Sequence, residues 1–265
     1  FETHVGDVFL LGASSWRVLE ITADRVLVAP APGEPGRMPF WRGDGPGRPL
    51  EFGRAIGRLT RLLLRDPREK AVRRLTREHG LEAAAAEQLV NYVVQQAAAT
   101  IEAPTDETIV VESFRDEVGD WRVVLLTPFG ARVHAPWATA TMARLRNEVA
   151  GAADVVWSDD GIAFRLPASD LPPPVEWLLP KSDEVESTIV RELSGTSLFA
   201  ARFRENAGRA LLLPRRQPGR RTPLWLQRRR AADLLQVVSR FPTFPILLET
   251  YRECLRDVFD LPGLK

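Results

Sequence analysis

The chemistry of this sequence is concentrated in arginine. Ten arginines and one acid, Glu205, lie between Ala201 and Arg230, a local charge of +9 in a 265-residue chain whose total is +1, which leaves −8 on the rest. That asymmetry predicts a polyanion-binding face on an acidic body. Lys70, Lys181 and Lys265 are the only lysines, so the clustering of arginine says more than its choice over lysine. Arg215, Arg216, Arg220 and Arg221 occupy a Pro-stiffened loop that feeds a helix carrying Trp225 and Arg228. Guanidinium forks bind phosphate oxygens in pairs and stack on bases. A helix N-terminus adds unpaired amides and the positive end of its dipole. The bland alternative is a solvated helix face.

Trp16 follows the small-residue turn Gly12-Ala13-Ser14-Ser15 and precedes Arg17. An indole projecting there can stack on a nucleobase, worth about 1 to 3 kcal/mol without any sequence readout. The competing reading makes it a core aromatic, as expected for most of Trp121, Trp157 and Trp177.

Catalytic groupings are sparse. Asp159-Asp160 and Asp116-Glu117 could position a metal or a general base, but both sit in turns, where Asp usually serves backbone geometry. His134 lies in the segment Thr127 to Trp137 that enters a helix, and is expected to be a packed corner residue or, failing that, an acid–base group. His4, His79, His134 and Cys254 form no ligand-spaced pair, which argues against a metal site. No Gly-Lys pair exists, which excludes a phosphate-binding loop. Gly43, Gly45 and Gly47 lack the strand–helix setting of a dinucleotide site, and no G-x-S-x-G elbow is present.

These residues need a scaffold, and hydropathy patterning supplies one. Val5 to Leu11, Trp16 to Ile21 and Arg25 to Val28 read as a three-stranded meander, followed by a Pro/Gly-rich loop, Pro30 to Pro49, holding Phe40 and Trp41. Helical spacing marks Glu51 to Leu64, Pro67 to His79 and Leu81 to Thr100. Two hairpins follow: Thr108 to Phe114 with Trp121 to Thr127, and Asp154 to Trp157 with Ile162 to Leu166 across the turn Ser158-Asp159-Asp160-Gly161. Between them a helix is expected over Pro136 to Val149, with the proline near its first turn. Helices over Ser182 to Leu193, Ser197 to Leu212, Pro223 to Arg240 and Pro245 to Phe259 complete the chain. The order implies an α+β fold whose antiparallel strands curl into a barrel-like sheet beside helices, ending in a helical segment. As one domain over 1–265 it has β-rich parts at 1–50 and 105–180, helices at 51–103 and a helical, basic part at 182–265.

Hydrophobic residues make up 45% and charged residues 27%, near globular averages, and no apolar run approaches the roughly 18 residues of a membrane span. The single Cys254 cannot form an internal disulfide, and with Phe1 at the start and no signal sequence the chain is expected to be a cytoplasmic fragment of a longer protein.

The segments Val5 to Arg17, Ser113 to Asp116, Thr127 to Trp137 and Pro214 to Trp225 together resemble the C-terminal part of the core of large helicase-related proteins, the Lhr family of superfamily 2 helicases. The resemblance runs over essentially the whole chain, and the arginine-rich composition is similar to that of actinobacterial members. It implies an accessory domain that works beside two RecA-like motor domains and a winged helix. The motor domains would use ATP and Mg to track 3′-to-5′ on single-stranded DNA and to unwind RNA:DNA hybrids; no cofactor would belong to this chain. The resemblance also implies that Trp16 matches the tryptophan that stacks on a base of the tracking strand. The fold is similar to that of a group of bacterial DNA glycosylases, but their Gln-x-Gln or Gln-x-Asp motif is absent, which argues against independent base excision.

The leading expectation is a domain that binds single-stranded nucleic acid and completes a helicase's tracking-strand channel, in a cytoplasmic, nucleoid-associated protein without membrane contact. From another class comes a standalone glycosylase-like enzyme or nuclease using the turn carboxylates or His134. A third reading is a protein-docking platform built on Phe40, Trp41 and the Pro-rich loop.

Overall fold

A computed structural model describes residues 4–11, 14–22, 25–34, 45, 47–149, 153–214 and 224–265. Phe40, Trp41, Arg215, Arg216, Arg220 and Arg221 lie outside the described residues. The chain divides into two compact units, Phe1–Gly45 with Gly195–Glu253, and Pro46–Ser194 with Cys254–Lys265.

The chain begins with an antiparallel meander of β1 (Val8–Leu11), β2 (Ser14–Ile21) and β3 (Val26–Pro30), with β2 in the centre. Strand β2 starts two residues earlier than its apolar pattern suggests, because Ser14 and Ser15 pair with Leu11 and Leu10. Three helices follow: α1 (Leu50–Arg65), α2 (Arg68–Glu78) and α3 (Ala83–Ala99). Their apolar stripes meet around Leu63, Ala71, Leu75, Ala86 and Val90, all buried. Along α1, Gly53 and Gly57 recur at a four-residue spacing where other backbone presses in. A Cβ at Gly53 would stand 2.1 Å from the Pro128 carbonyl oxygen, and one at Gly57 2.3 Å from the Asp106 nitrogen.

Next come β4 (Val110–Arg115), β5 (Trp121–Leu126), α4 (Ala131–Glu148), β6 (Asp154–Ser158) and β7 (Gly161–Leu166). The strands form one antiparallel sheet in the order β4-β5-β7-β6. Val123, Leu125, Ile162, Phe164 and Leu166 from the sheet pack on Trp137, Ala138 and Leu145 of α4 and on Leu178. Leu178 ends a 3-10 turn, Val175–Leu178, and its carbonyl accepts hydrogen bonds from Trp137 Nε1 (2.6 Å) and Thr141 Oγ1 (3.1 Å). Helix α5 (Val185–Leu193) follows.

The other unit gains α6 (Ser197–Arg209), α7 (Leu224–Val238) and α8 (Pro245–Arg252). Phe203 and Ala207 of α6 pack with Val238 of α7, and the Phe199 and Tyr251 rings meet with centroids 4.6 Å apart. A π-helical turn, Glu253–Val258, and the short α9 (Leu261–Leu264) end the chain.

The α+β class and the helical ending are as expected. The single curled, barrel-like sheet is not what the described residues form: they make two separate open sheets of three and four strands. Among the described residues, helices α1, α2 and α3 separate the two sheets in sequence, and no strand of one pairs with a strand of the other. Helix α4 starts at Ala131, which places Pro136 inside it rather than near its first turn. The final helix is interrupted, because the Phe259 N–H bonds five residues back to the Cys254 carbonyl. Trp157 is exposed on β6, contrary to the core role expected of it, since β6 is an edge strand.

Candidate nucleic-acid interface

Trp16 lies on the central strand of the meander, opposite Phe9 of β1 and Pro30 of β3. It is half-buried. Side chains alternate along a strand, so Trp16 shares a face with the buried Val18 while Arg17 points to the other. The Arg17 guanidinium pairs with the Glu34 carboxylate, and the Ser15 hydroxyl donates to the Glu34 carbonyl at 3.1 Å. Trp16 and Arg17 are therefore adjacent in sequence but not brought together on one surface.

On α7 the geometry is different. Trp225 and Arg228 are three residues apart on one helix face, and both are exposed. Arg229 and Arg230 are exposed beside them; sequence reasoning did not single them out, although an uninterrupted run of three arginines on a helix was the available signal. Two other arginines of the +9 segment are paired within the same unit. Arg202 pairs with Glu205 at 2.9 Å, and Arg209 contacts both Asn206 and Glu253. Among the described residues of the segment, α7 thus carries three adjacent exposed arginines, Arg228, Arg229 and Arg230.

Asp159, Asp160, His134 and Asp116 are each held by structural partners. Asp159 Oδ1 accepts the Arg48 N–H and the Ala131 N–H, each at 2.8 Å, so the carboxylate covers the first turn of α4. Burial alone would raise its pKa, but these two amides and the Arg48 charge hold it below the usual carboxylate range. Arg48 Nη1 also donates to Asp160 Oδ1 (2.8 Å) and to the Asp159 and Pro128 carbonyls (3.1 and 3.2 Å). His134 is fully buried: its Nδ1 donates to the Ser158 carbonyl at 2.7 Å, and Nε2 faces Thr127 Oγ1 at 3.4 Å. Burial pushes its pKa below the ordinary imidazole value, against the Ser158 bond and the nearby Asp159 and Asp160. It is a neutral corner residue. In the other turn, Asp116 Oδ1 accepts the Val118 and Asp120 amides and Oδ2 accepts Arg122 Nε. Among the described residues no group of three or more His, Cys, Asp or Glu is placed to hold a metal ion. Among the described residues no helix is long and apolar enough to cross a membrane.

Residues 103–265, which span the four-stranded sheet, α4, the arginine-rich segment and the C-terminal helices, match the family model described as DEAD/H associated. The chain belongs to the DEAD/H-associated family. Over its whole length this DEAD/H-associated chain is 51% identical to an Lhr helicase of Mycolicibacterium smegmatis and 47% identical to the Lhr helicase/uracil glycosylase of Escherichia coli. An archaeal relative, the ATP-dependent helicase Lhr-Core protein 2 of Thermococcus barophilus, is 28% identical over 97% of the chain. The chain spans 18%, 17% and 30% of these three relatives. A solved structure of the Mycobacterium smegmatis helicase Lhr bound to ssDNA and AMP-PNP matches with a TM-score of 0.75 and 49% identity, over 88% of this chain and 30% of that one. The resemblance to Lhr helicases thus holds across the whole sequence.

Proposed function

We propose that this DEAD/H-associated chain is the single-stranded nucleic-acid-binding accessory domain, over 1–265, of a cytoplasmic, nucleoid-associated, ATP-dependent 3′-to-5′ helicase acting on DNA or RNA:DNA hybrids. It completes the tracking-strand channel beside RecA-like motor domains and a winged helix of the same polypeptide. Its contribution is binding. ATP and Mg belong to the motor domains. The observation that carries the reading is the 49% identity, over 88% of the chain, to a helicase solved with single-stranded DNA. The exposed Trp225 and Arg228 on α7 support it, because an aromatic face beside guanidinium groups suits stacked bases and their phosphates. Trp16 stacks on a base, and Arg215, Arg216, Arg220 and Arg221 neutralise phosphates. A standalone cleaving or excising activity would need His134 or the turn carboxylates, which are tied into a corner and a hairpin.

Two measurements test this reading. The chain alone should show no nucleic-acid-stimulated ATP hydrolysis, and such hydrolysis would overturn it. Replacing Arg215, Arg216, Arg220 and Arg221 with Ala should weaken single-strand binding for all sequences alike. With three or four phosphates engaged, the log-log salt slope should lose roughly 2 to 3 units, at about 0.7 per phosphate. An unchanged slope assigns these arginines to a solvated face or to protein docking.

A further inference from the structure

Within the unit Pro46–Ser194, helices α4 and α5 border a groove of about 310 Å³, within the size range of small-ligand sites. The helix α4 side presents Ala140 and Ala143, too short to fill it, and Arg144 and Asn147 at the next turn. Thr188 and Arg191 project from α5, Lys181 and Glu184 close one end, and the buried Val185 lies beneath. Asn147, Lys181, Glu184 and Arg191 are all exposed, so the groove opens to solvent.

Its charge is one-sided. Arg144, Lys181 and Arg191 stand against Glu184 alone. Arg144 Nη1 donates to the Glu176 carbonyl at 2.7 Å, which anchors the guanidinium and leaves further N–H groups of its fork to be satisfied. Lys181 shares its charge with Glu184 at 3.1 Å, and Arg191 makes one long contact, 3.5 Å, to the Thr188 hydroxyl. Three cationic residues from two helices and a connecting turn line one space, with an amide and a hydroxyl beside them. A planar carboxylate would use one fork; a tetrahedral oxyanion offers acceptors in several directions and matches such a set.

We infer that this groove binds phosphate oxyanions, through Arg144, Lys181 and Arg191, at a site in a different unit from Trp16 and α7. The phosphate can come from the backbone of a nucleic-acid strand or from a free phosphate compound, and both present the same chemistry to the groove. Glu184 weakens the site by competing for Lys181.

The test uses the full 265-residue chain at about 50 mM salt, where electrostatic binding is strong, titrated separately with inorganic pyrophosphate and with an oligothymidylate. Arg144→Gln and Arg191→Gln should each weaken pyrophosphate binding about two- to fivefold, as for exposed charge pairs, while Glu184→Gln should tighten it by a similar factor. The gain in Glu184→Gln cannot come from misfolding, and melting of each variant checks the losses. A response with pyrophosphate alone identifies a free phosphate compound as the ligand; a parallel response with the oligothymidylate identifies a strand backbone. If none of the three variants changes binding of either probe, the inference is wrong. Pyrophosphate has no base, so a chain that binds it in this pattern but binds no oligothymidylate would sink the proposed function and leave the groove standing.

Discussion

The Asp260 N–H donates a 2.8 Å hydrogen bond to the Arg132 carbonyl, the acceptor that Pro136 leaves without its partner inside α4. Proline has no N–H to offer four residues on, and an interior proline ordinarily breaks a helix. Here the end of the chain supplies the missing donor, and Arg132 Nη2 returns a bond to the Arg256 carbonyl at 2.9 Å. The C-terminal residues are thus part of how α4 tolerates its proline.

Ending the chain at Phe259 should therefore destabilise the unit that contains α4. The Arg132 carbonyl loses its partner, a loss of about 1 to 3 kcal/mol where such a group is buried. The buried Leu261 is removed as well, and a fully buried leucine contributes about 1.5 to 3 kcal/mol. Denaturant unfolding of the truncated chain measures the sum, and an unchanged midpoint would refute the role given to Asp260.

Acid should weaken the corner in two stages. An unfolded chain takes up the His134 proton near pH 6.5, whereas the folded chain, with its imidazole buried, holds it off to lower pH. Below about pH 6.5 the unfolded state binds more protons, so stability falls as pH drops. Asp159, held below its ordinary value, contributes stability that is present above about pH 4 and is lost in stronger acid. His134→Asn, which keeps a donor for the Ser158 carbonyl, should flatten the dependence just below about pH 6.5. The slope is read from unfolding free energies measured at several pH values. If the variant keeps the wild-type slope, His134 is not the buried neutral group.

Two glycine substitutions should act in opposite directions. At Gly57 a Cβ would stand 2.3 Å from the Asp106 backbone nitrogen, so Gly57→Ala forces backbone apart at a cost of about 1 to 3 kcal/mol. At Gly208, inside α6, a Cβ meets nothing within 4 Å. Gly208→Ala should gain about 0.5 to 1 kcal/mol from helix propensity. Thermal melting of the pair is sufficient, and a Gly57→Ala protein as stable as the parent would show that α1 does not make the close approach.

Trp16→Ala in the full-length protein, assayed for the proposed helicase activity, separates stacking from packing. Loss of a stacked base removes about 1 to 3 kcal/mol of strand contact and leaves melting nearly normal while unwinding is impaired. Loss of a core indole costs about 3 to 5 kcal/mol of folding stability. Trp16 is half-buried on the face of Val18, so melting and unwinding must be measured on the same protein. A large drop in melting temperature, with unwinding lost only in proportion to the unfolded fraction, would remove Trp16 from the proposed interface.

Much of the local structure was legible in the residues. The turn Ser158-Asp159-Asp160-Gly161 joins β6 to β7 as its composition requires, and α1, α2 and α3 begin and end within two residues of where proline, glycine and apolar spacing put them. These signals are local: a turn or a helix stripe is specified by backbone preferences and periodicity within a few residues. The destination of a side chain is not local. Asp159 reads as a turn residue, and only the fold shows it bonding Arg48, 111 residues earlier in the chain, and Ala131 at the start of α4. Pro136 reads as a helix start, and only the return of Asp260 explains why the helix runs through it. Trp157 reads as core until its strand proves to be an edge. The +9 count is a matter of composition, but among the described residues packing decides that Arg202 and Arg209 meet Glu205 and Glu253 while Arg228, Arg229 and Arg230 are exposed on α7. Charge and propensity are properties of residues; burial and partnership depend on which distant surfaces the fold brings into contact.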